Sequence, residues 1–152
     1  MNFDGAFFRE SNEAGIGAIV RNHHGEVMAA LCQRIPYPYS IDAVEASAAK
    51  AAVKLVLDLG LQEVDIEGDS LKIITALQQA SPCYTSYGHL ILDTNTLAQN
   101  LISYQFMHVK RDGNSVAHSL AKRARLCEPL EIWMESVPPD LHTILFSDFS
   151  LI

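Results

Sequence analysis

The stretch NFDGAF, residues 2–7, sets an acid, Asp4, inside a run that otherwise reads as a buried strand. Phe3 and Phe7 share the two-residue period of one face, with Asp4 and Ala6 on the other. A carboxylate in such a place is costly unless something pairs with it or binds it. Whatever meets Asp4 must come from elsewhere in the chain.

Outward from that strand, RESNEAG (9–15) is a polar turn. IGAIVRN (16–22) and EVMAALCQRI (26–35) are strands joined through HHG, which completes a three-stranded antiparallel meander. His23 and His24 fit a turn better than a metal site, since neighbouring side chains point apart and no third ligand stands nearby. PYPY breaks the pattern, and Ser40 or Asp42 can cap a helix over 43–59 that Gly60 ends. EVDIEGDS (63–70) is a fourth strand, and Asp69 or Ser70 opens a helix over LKIITALQQA (71–80), closed by SPCYTS. A third helix over HLILDTNTLAQN, a fifth strand over ISYQFMHVKR and a helix through VAHSLAKRAR follow, the last opened by Asn114 or Ser115. The tail, 126–152, ends in a short helix after Pro138–Pro139. The order predicts one α/β domain over 1–152, a five-stranded mixed sheet flanked by helices, with the tail packed on or beside it.

In such sheets chemistry gathers beside strand ends at a topological switch point. Asp4 in the first strand and Asp69 at the end of the fourth both fall at the sheet centre. Glu45 sits one turn into its helix, on the face that carries Ala48, Ala49, Ala52, Val56 and Leu59, and so faces the sheet. Separately, the three acids read as an edge residue, a first-turn dipole complement and an N-cap. Together they repel strongly unless a cation lies among them, and hard oxygen ligands suit Mg²⁺ or Mn²⁺.

These residues carry a resemblance. NFDGAF, AVEASAAKAAVKLVLDLG (43–60), VDIEGDS (64–70) and HVKRDGNSVAHSLAKRA (108–124) resemble, in order, the acid motifs and closing motif of the ribonuclease H family. With EIWMESVPPDL (131–141), the chain is most similar to the plant domains related to retroelement reverse-transcriptase appendages. The resemblance covers roughly residues 2–146 and implies a ribonuclease H-like fold. It also implies a divalent-metal-dependent endonuclease that hydrolyses the RNA strand of RNA–DNA hybrids. Two cations about 4 Å apart would activate water and stabilise the leaving oxygen. By that analogy Asp4, Glu45 and Asp69 bind metal.

The chain departs from the family at two places. His118 stands where a fourth carboxylate is common, and as a catalytic metal ligand it would favour Mn²⁺ over Mg²⁺; the alternative is a helix-face histidine turned to solvent. Only RDGN links the fifth strand to the closing helix, so the Gly-His segment of better-known members is missing and His108 falls within the strand. The basic protrusion of some members is missing too. Binding to the hybrid then falls to Lys110, Arg111, Asn114, Lys122, Arg123 and Arg125.

Charge is consistent with that division. Formal net charge is −7, against a surface that binds nucleic acid everywhere, yet five of the 11 Lys and Arg residues lie between 110 and 125. Cys32, Cys83 and Cys127 are widely spaced with no CxxC pair and read as reduced thiols, Cys32 in the core. No signal peptide or membrane span is evident, which predicts an intracellular protein, nuclear or cytoplasmic, with no membrane partner. Strand-like sequence begins almost at Met1, compatible with a piece of a larger retroelement-derived protein or with a short native chain, and the expected state is a monomer. The rival function is a ribonuclease H-like module that binds nucleic acid or protein without cutting.

Overall fold

The computed structural model describes residues 1–38, 40–79 and 84–149, so Cys83 and the first half of the SPCYTS segment lie outside it. The meander forms β1 (Asn2–Phe8), β2 (Glu13–Arg21) and β3 (Val27–Pro36). β2 begins earlier than its polar sequence suggests, because Asn12 adopts a left-handed φ of +54° and closes the hairpin within four residues. Glu13, Ala14 and Gly15 then pair with Phe8, Phe7 and Ala6.

α1 (Ile41–Asp58) follows, with the Ser40 hydroxyl accepting from the Ala43 N–H, and crosses to β4 (Glu63–Gly68). α2 (Leu71–Gln78) is capped by Ser70, α3 spans Gly88–Ala98, and β5 spans Ser103–His108. A 3-10 turn over Arg111–Asn114 leads into α4 (Ser115–Arg123). The tail forms a strand as well as the expected short helix: β6 (Leu130–Met134) pairs antiparallel with β3, ahead of α5 (His142–Phe149).

Among the described residues the sheet therefore has six strands, not five, ordered β5-β4-β1-β2-β3-β6. β1 is its switch point, antiparallel to β2 along its length but parallel to β4 only at Asn2↔Glu67 and Phe3↔Gly68. Beyond Phe3, β1 has no strand partner on that side among the described residues, and the notch opens beside Asp4.

α1, α2 and α3 cover one face around Phe3, Ala18, Val20, Leu31 and Ile66. α4 and the tail cover the other around Ile19, Ala30, Val116, Leu120 and Leu141. On this second face Asp4, Gly17, Cys32 and Glu131 lie side by side in one cross-strand row. α4 runs over that row. A Cβ on Gly17 would lie 2.3 Å from the Ala117 carbonyl oxygen and 2.4 Å from the Ala121 nitrogen, so the helix rests on bare backbone.

Gly17→Ala forces backbone apart, and it is expected to cost about 1–3 kcal/mol in urea denaturation. Gly113→Ala, whose added carbon would meet only Val109 Cβ at 3.9 Å, stays within about 0.5 kcal/mol of wild type. Equal costs at the two positions would mean that α4 does not depend on the bare backbone beneath it.

Candidate metal centre

Asp4, Glu45 and Asp69 converge. Each offers a carboxylate oxygen, and the three oxygens lie within 4.8 Å of one another. Asp4 comes from β1 and Asp69 from the residue after β4, on either side of the notch. Glu45 comes from the first turns of α1, where Gly5 lets the helix close on the strand: a Cβ there would lie 2.6 Å from Val44 Cγ1. The Gly5 N–H donates to Asp4 Oδ1 at 2.9 Å and to Glu45 Oε1 at 3.2 Å, tying the two acids to one backbone donor.

Asp4 and Glu45 are buried, and Glu45 Oε2 has no hydrogen-bond partner among the described residues. Burial, then the neighbouring Asp4 carboxylate, pushes the Glu45 carboxyl up from 4.5 to about 10. Asp69 is also raised, first by burial and then by Asp4, while the Arg111 guanidinium pulls the other way from 3.8 Å. Three mutually destabilised carboxylates with an open buried oxygen are a donor set that fits a hard dication.

His118 reaches the site but not the three-way cluster. Its Nδ1 hydrogen-bonds Asp4 Oδ2 at 2.7 Å, and its side chain is about one-third exposed. It neither turns away from the acids nor stands among all three: it braces Asp4 from the solvent side. His108, exposed at the end of β5, has its Nε2 3.2 Å from the Asp69 carbonyl oxygen.

The expected nucleic-acid residues separate into two groups. Lys110, Arg111, Lys122 and Arg125 are exposed. Lys122 and Arg125 line a groove of about 730 Å³ with His118, Phe7, Leu126 and Arg9. Arg9 stands far from the basic cluster in sequence, and only the β1–β2 hairpin brings it there. Asn114 is buried, donating from Nδ2 to the Phe3 carbonyl and accepting from Asn2 Nδ2, so it anchors β1 beside Asp4. Arg123 is spent on the tail: its Nε donates to both Asp140 carboxylate oxygens at 3.1 Å, and the guanidinium lies 5.2 Å from the Trp133 ring centroid. A larger hollow, about 1140 Å³, lies at the start of β1, where Glu63, Asp65, Glu67 and Asp112 outnumber Arg21 and the amino terminus, a poor match for phosphate.

Residues 2–124 match the sequence profile of the family described as reverse transcriptase-like. The chain belongs to that family. This reverse transcriptase-like chain is 28% identical over 126 residues to the uncharacterized protein YpeP of Bacillus subtilis strain 168, and the match covers 80% of this chain and 56% of that protein. Its fold matches the RNase H1 of the halophilic archaeon Halobacterium salinarum with a TM-score of 0.74 at 24% identity, covering 82% of this chain and 94% of that one. It also matches LC11-RNase H1, solved in complex with an RNA/DNA hybrid, with a TM-score of 0.71 at 19% identity, covering 81% and 93%. At these identities the structural likeness shows the fold.

Glu45 gives a pH signature. The folded chain holds its proton to about 10, whereas the unfolded chain releases it near 4.5. Between those values the unfolded state binds fewer protons, so without metal the stability falls as pH rises. In chelator, melting temperature is expected to decline from about pH 5 to about pH 9, and Glu45→Gln to flatten the decline. A slope unchanged by Glu45→Gln would place the buried charge elsewhere.

Proposed function

We propose that this chain is a divalent-metal-dependent endonuclease acting on the RNA strand of RNA–DNA hybrids. The observation that carries the reading is the buried, unpartnered oxygen of Glu45 inside a cluster of three carboxylates. Family membership and the ribonuclease H-like fold support it. Asp4, Glu45 and Asp69 would hold Mg²⁺ or Mn²⁺, as a pair of ions in the two-metal form of the reading. Bound there, the metal supplies Lewis acidity toward the phosphate and the attacking water.

The protein's own groups do the rest. The Gly5 N–H orients Asp4 and Glu45 before anything binds, and His118 fixes the other Asp4 oxygen. Lys122, Arg125 and Arg9 line the groove beside His118 and outnumber its two acids, Glu10 and Glu13, which leaves a small positive excess for the substrate backbone. The 2′-hydroxyls are the feature by which an RNA strand differs from DNA at such a site.

One observation favours the non-cutting rival. A histidine in place of a fourth acid gives Asp4 a partner that needs no cation. Cleavage of a labelled hybrid decides between the two readings. Activity is expected in Mn²⁺ above Mg²⁺, with Asp69→Asn lowering it roughly 100-fold or more and His118→Asp gaining mainly in Mg²⁺. Melting temperature rises with Mn²⁺ in the wild type by mass action, and less in Asp69→Asn. Hybrid binding that persists while wild type and His118→Asp both fail to cut would establish the module instead.

Substrate placement has its own test. Lys122→Gln with Arg125→Gln weakens hybrid binding and lowers the salt slope by about 0.9 for each phosphate no longer neutralised, and Arg9→Gln acts in the same direction. Arg123→Gln leaves the salt slope alone and lowers the melting temperature. A salt slope that moved with Arg123 and not with Arg9 would put the substrate on the tail side of α4.

A further inference from the structure

Cys32 and Cys127, which the function above does not use, are not independent thiols. Their sulfurs lie 3.3 Å apart in a buried pocket closed by Phe8, Ala124 and Trp133. Cys32 belongs to β3, in the cross-strand row beneath α4, and its thiol lies 3.1 Å from the Leu120 carbonyl oxygen. Cys127 follows the 3-10 turn that ends α4 and points its thiol at the Arg123 carbonyl, 3.3 Å away. The two sulfurs thus join the sheet to the far end of the helix that carries His118.

The thiols differ in their surroundings. Arg123 Nη1 donates to Cys127 Sγ at 2.9 Å, setting a guanidinium that also pairs with Asp140 and Glu131 against the sulfur that would carry negative charge when it attacks. Cys127 also keeps a little exposure, whereas Cys32 has none. Burial, then the neighbouring Cys127 thiol, raises the Cys32 thiol and favours its protonated form. One thiol is placed to meet a small oxidant, and the other to resolve the product.

We propose that Cys32 and Cys127 form a reversible redox pair, with Cys127 the peroxide-reactive thiol and Cys32 the resolving one. The oxidant is hydrogen peroxide. The Cys127 sulfur attacks one peroxide oxygen, the O–O bond breaks, and the second oxygen leaves as hydroxide that takes up the thiol proton to become water. Cys127 is then a sulfenic acid. The Cys32 sulfur attacks the Cys127 sulfur, the S–O bond breaks, and the departing hydroxide takes the Cys32 proton as a second water. Two thiols and one peroxide become one disulfide and two waters, the sulfurs losing the two electrons that the peroxide gains.

A sulfur–sulfur bond of about 2.05 Å asks the two atoms to close a gap of little more than 1 Å. The bond ties residues 95 apart in sequence and fastens the tail to the sheet centre. It also withdraws both S–H groups from the α4 carbonyls of Leu120 and Arg123. None of this depends on nuclease activity.

The test uses the full chain with Cys83→Ser, which leaves these two thiols alone. The folded protein is treated with hydrogen peroxide, alkylated, digested without reductant and analysed by mass spectrometry. A Cys32–Cys127 linked peptide that dithiothreitol reverses is expected, with a melting temperature roughly 5–10 °C above the reduced form. Adding Cys32→Ala should leave Cys127 as a sulfenic acid that dimedone traps. The proposal is overturned if the folded protein with both thiols yields no such peptide, whether the sulfurs stay reduced, Cys127 passes on to the sulfinic acid, or the link forms only in urea.

Discussion

A single backbone donor, the N–H of Gly5, serves two carboxylates, and the site is arranged around that sharing. Neither acid could be brought so near the other by packing alone, since their repulsion grows as water is removed. The donor offsets part of the repulsion at Asp4 Oδ1 and Glu45 Oε1. It can do so because residue 5 has no side chain to hold α1 away from β1. What remains uncompensated is Glu45 Oε2, and that remainder is what turns a structural cluster into a candidate binding site.

The other face of the sheet answers to a second close approach. α4 settles onto Gly17, and everything along its length is indexed by that contact: His118 at Asp4, the Leu120 carbonyl at Cys32, Arg123 at Glu131. The tail continues the same line, since Arg123 gathers Glu131, Asp140 and the Trp133 ring. A residue that a basic sequence cluster assigns to nucleic acid is thereby paired within the fold, while Arg9 lines the groove beside His118.

Much of this was legible in the sequence because it rests on local signals. Strand alternation around Asp4, the apolar stripe that includes Glu45 and the Ser70 cap beside Asp69 bring the acids to one place without any distance being known. β6 was harder to see. LEIWM does alternate, but five residues between a Pro and a Glu-Ser pair carry little periodicity, and the strand exists only because β3 offers an open edge. The partners of Asn114, Arg123 and Arg9 are tertiary facts. Asn114 does stand at the N-cap of α4, as its place in the sequence suggests, but its amide holds the Phe3 carbonyl and does not cap the helix.

The parallel ladder between β1 and β4 is two residue pairs long, against seven between β1 and β2 and six between β4 and β5. Asp69 belongs to the β4 side of that seam, while Asp4 and, through its packing on β1, Glu45 belong to the other. In mechanical terms the acids straddle the weakest joint of the sheet, with few hydrogen bonds to break before the halves part. A cation held by all three carboxylates would act as a rivet across the joint, so occupancy of the site and the opening rate of the sheet at Glu67 and Gly68 become one equilibrium, visible in amide exchange.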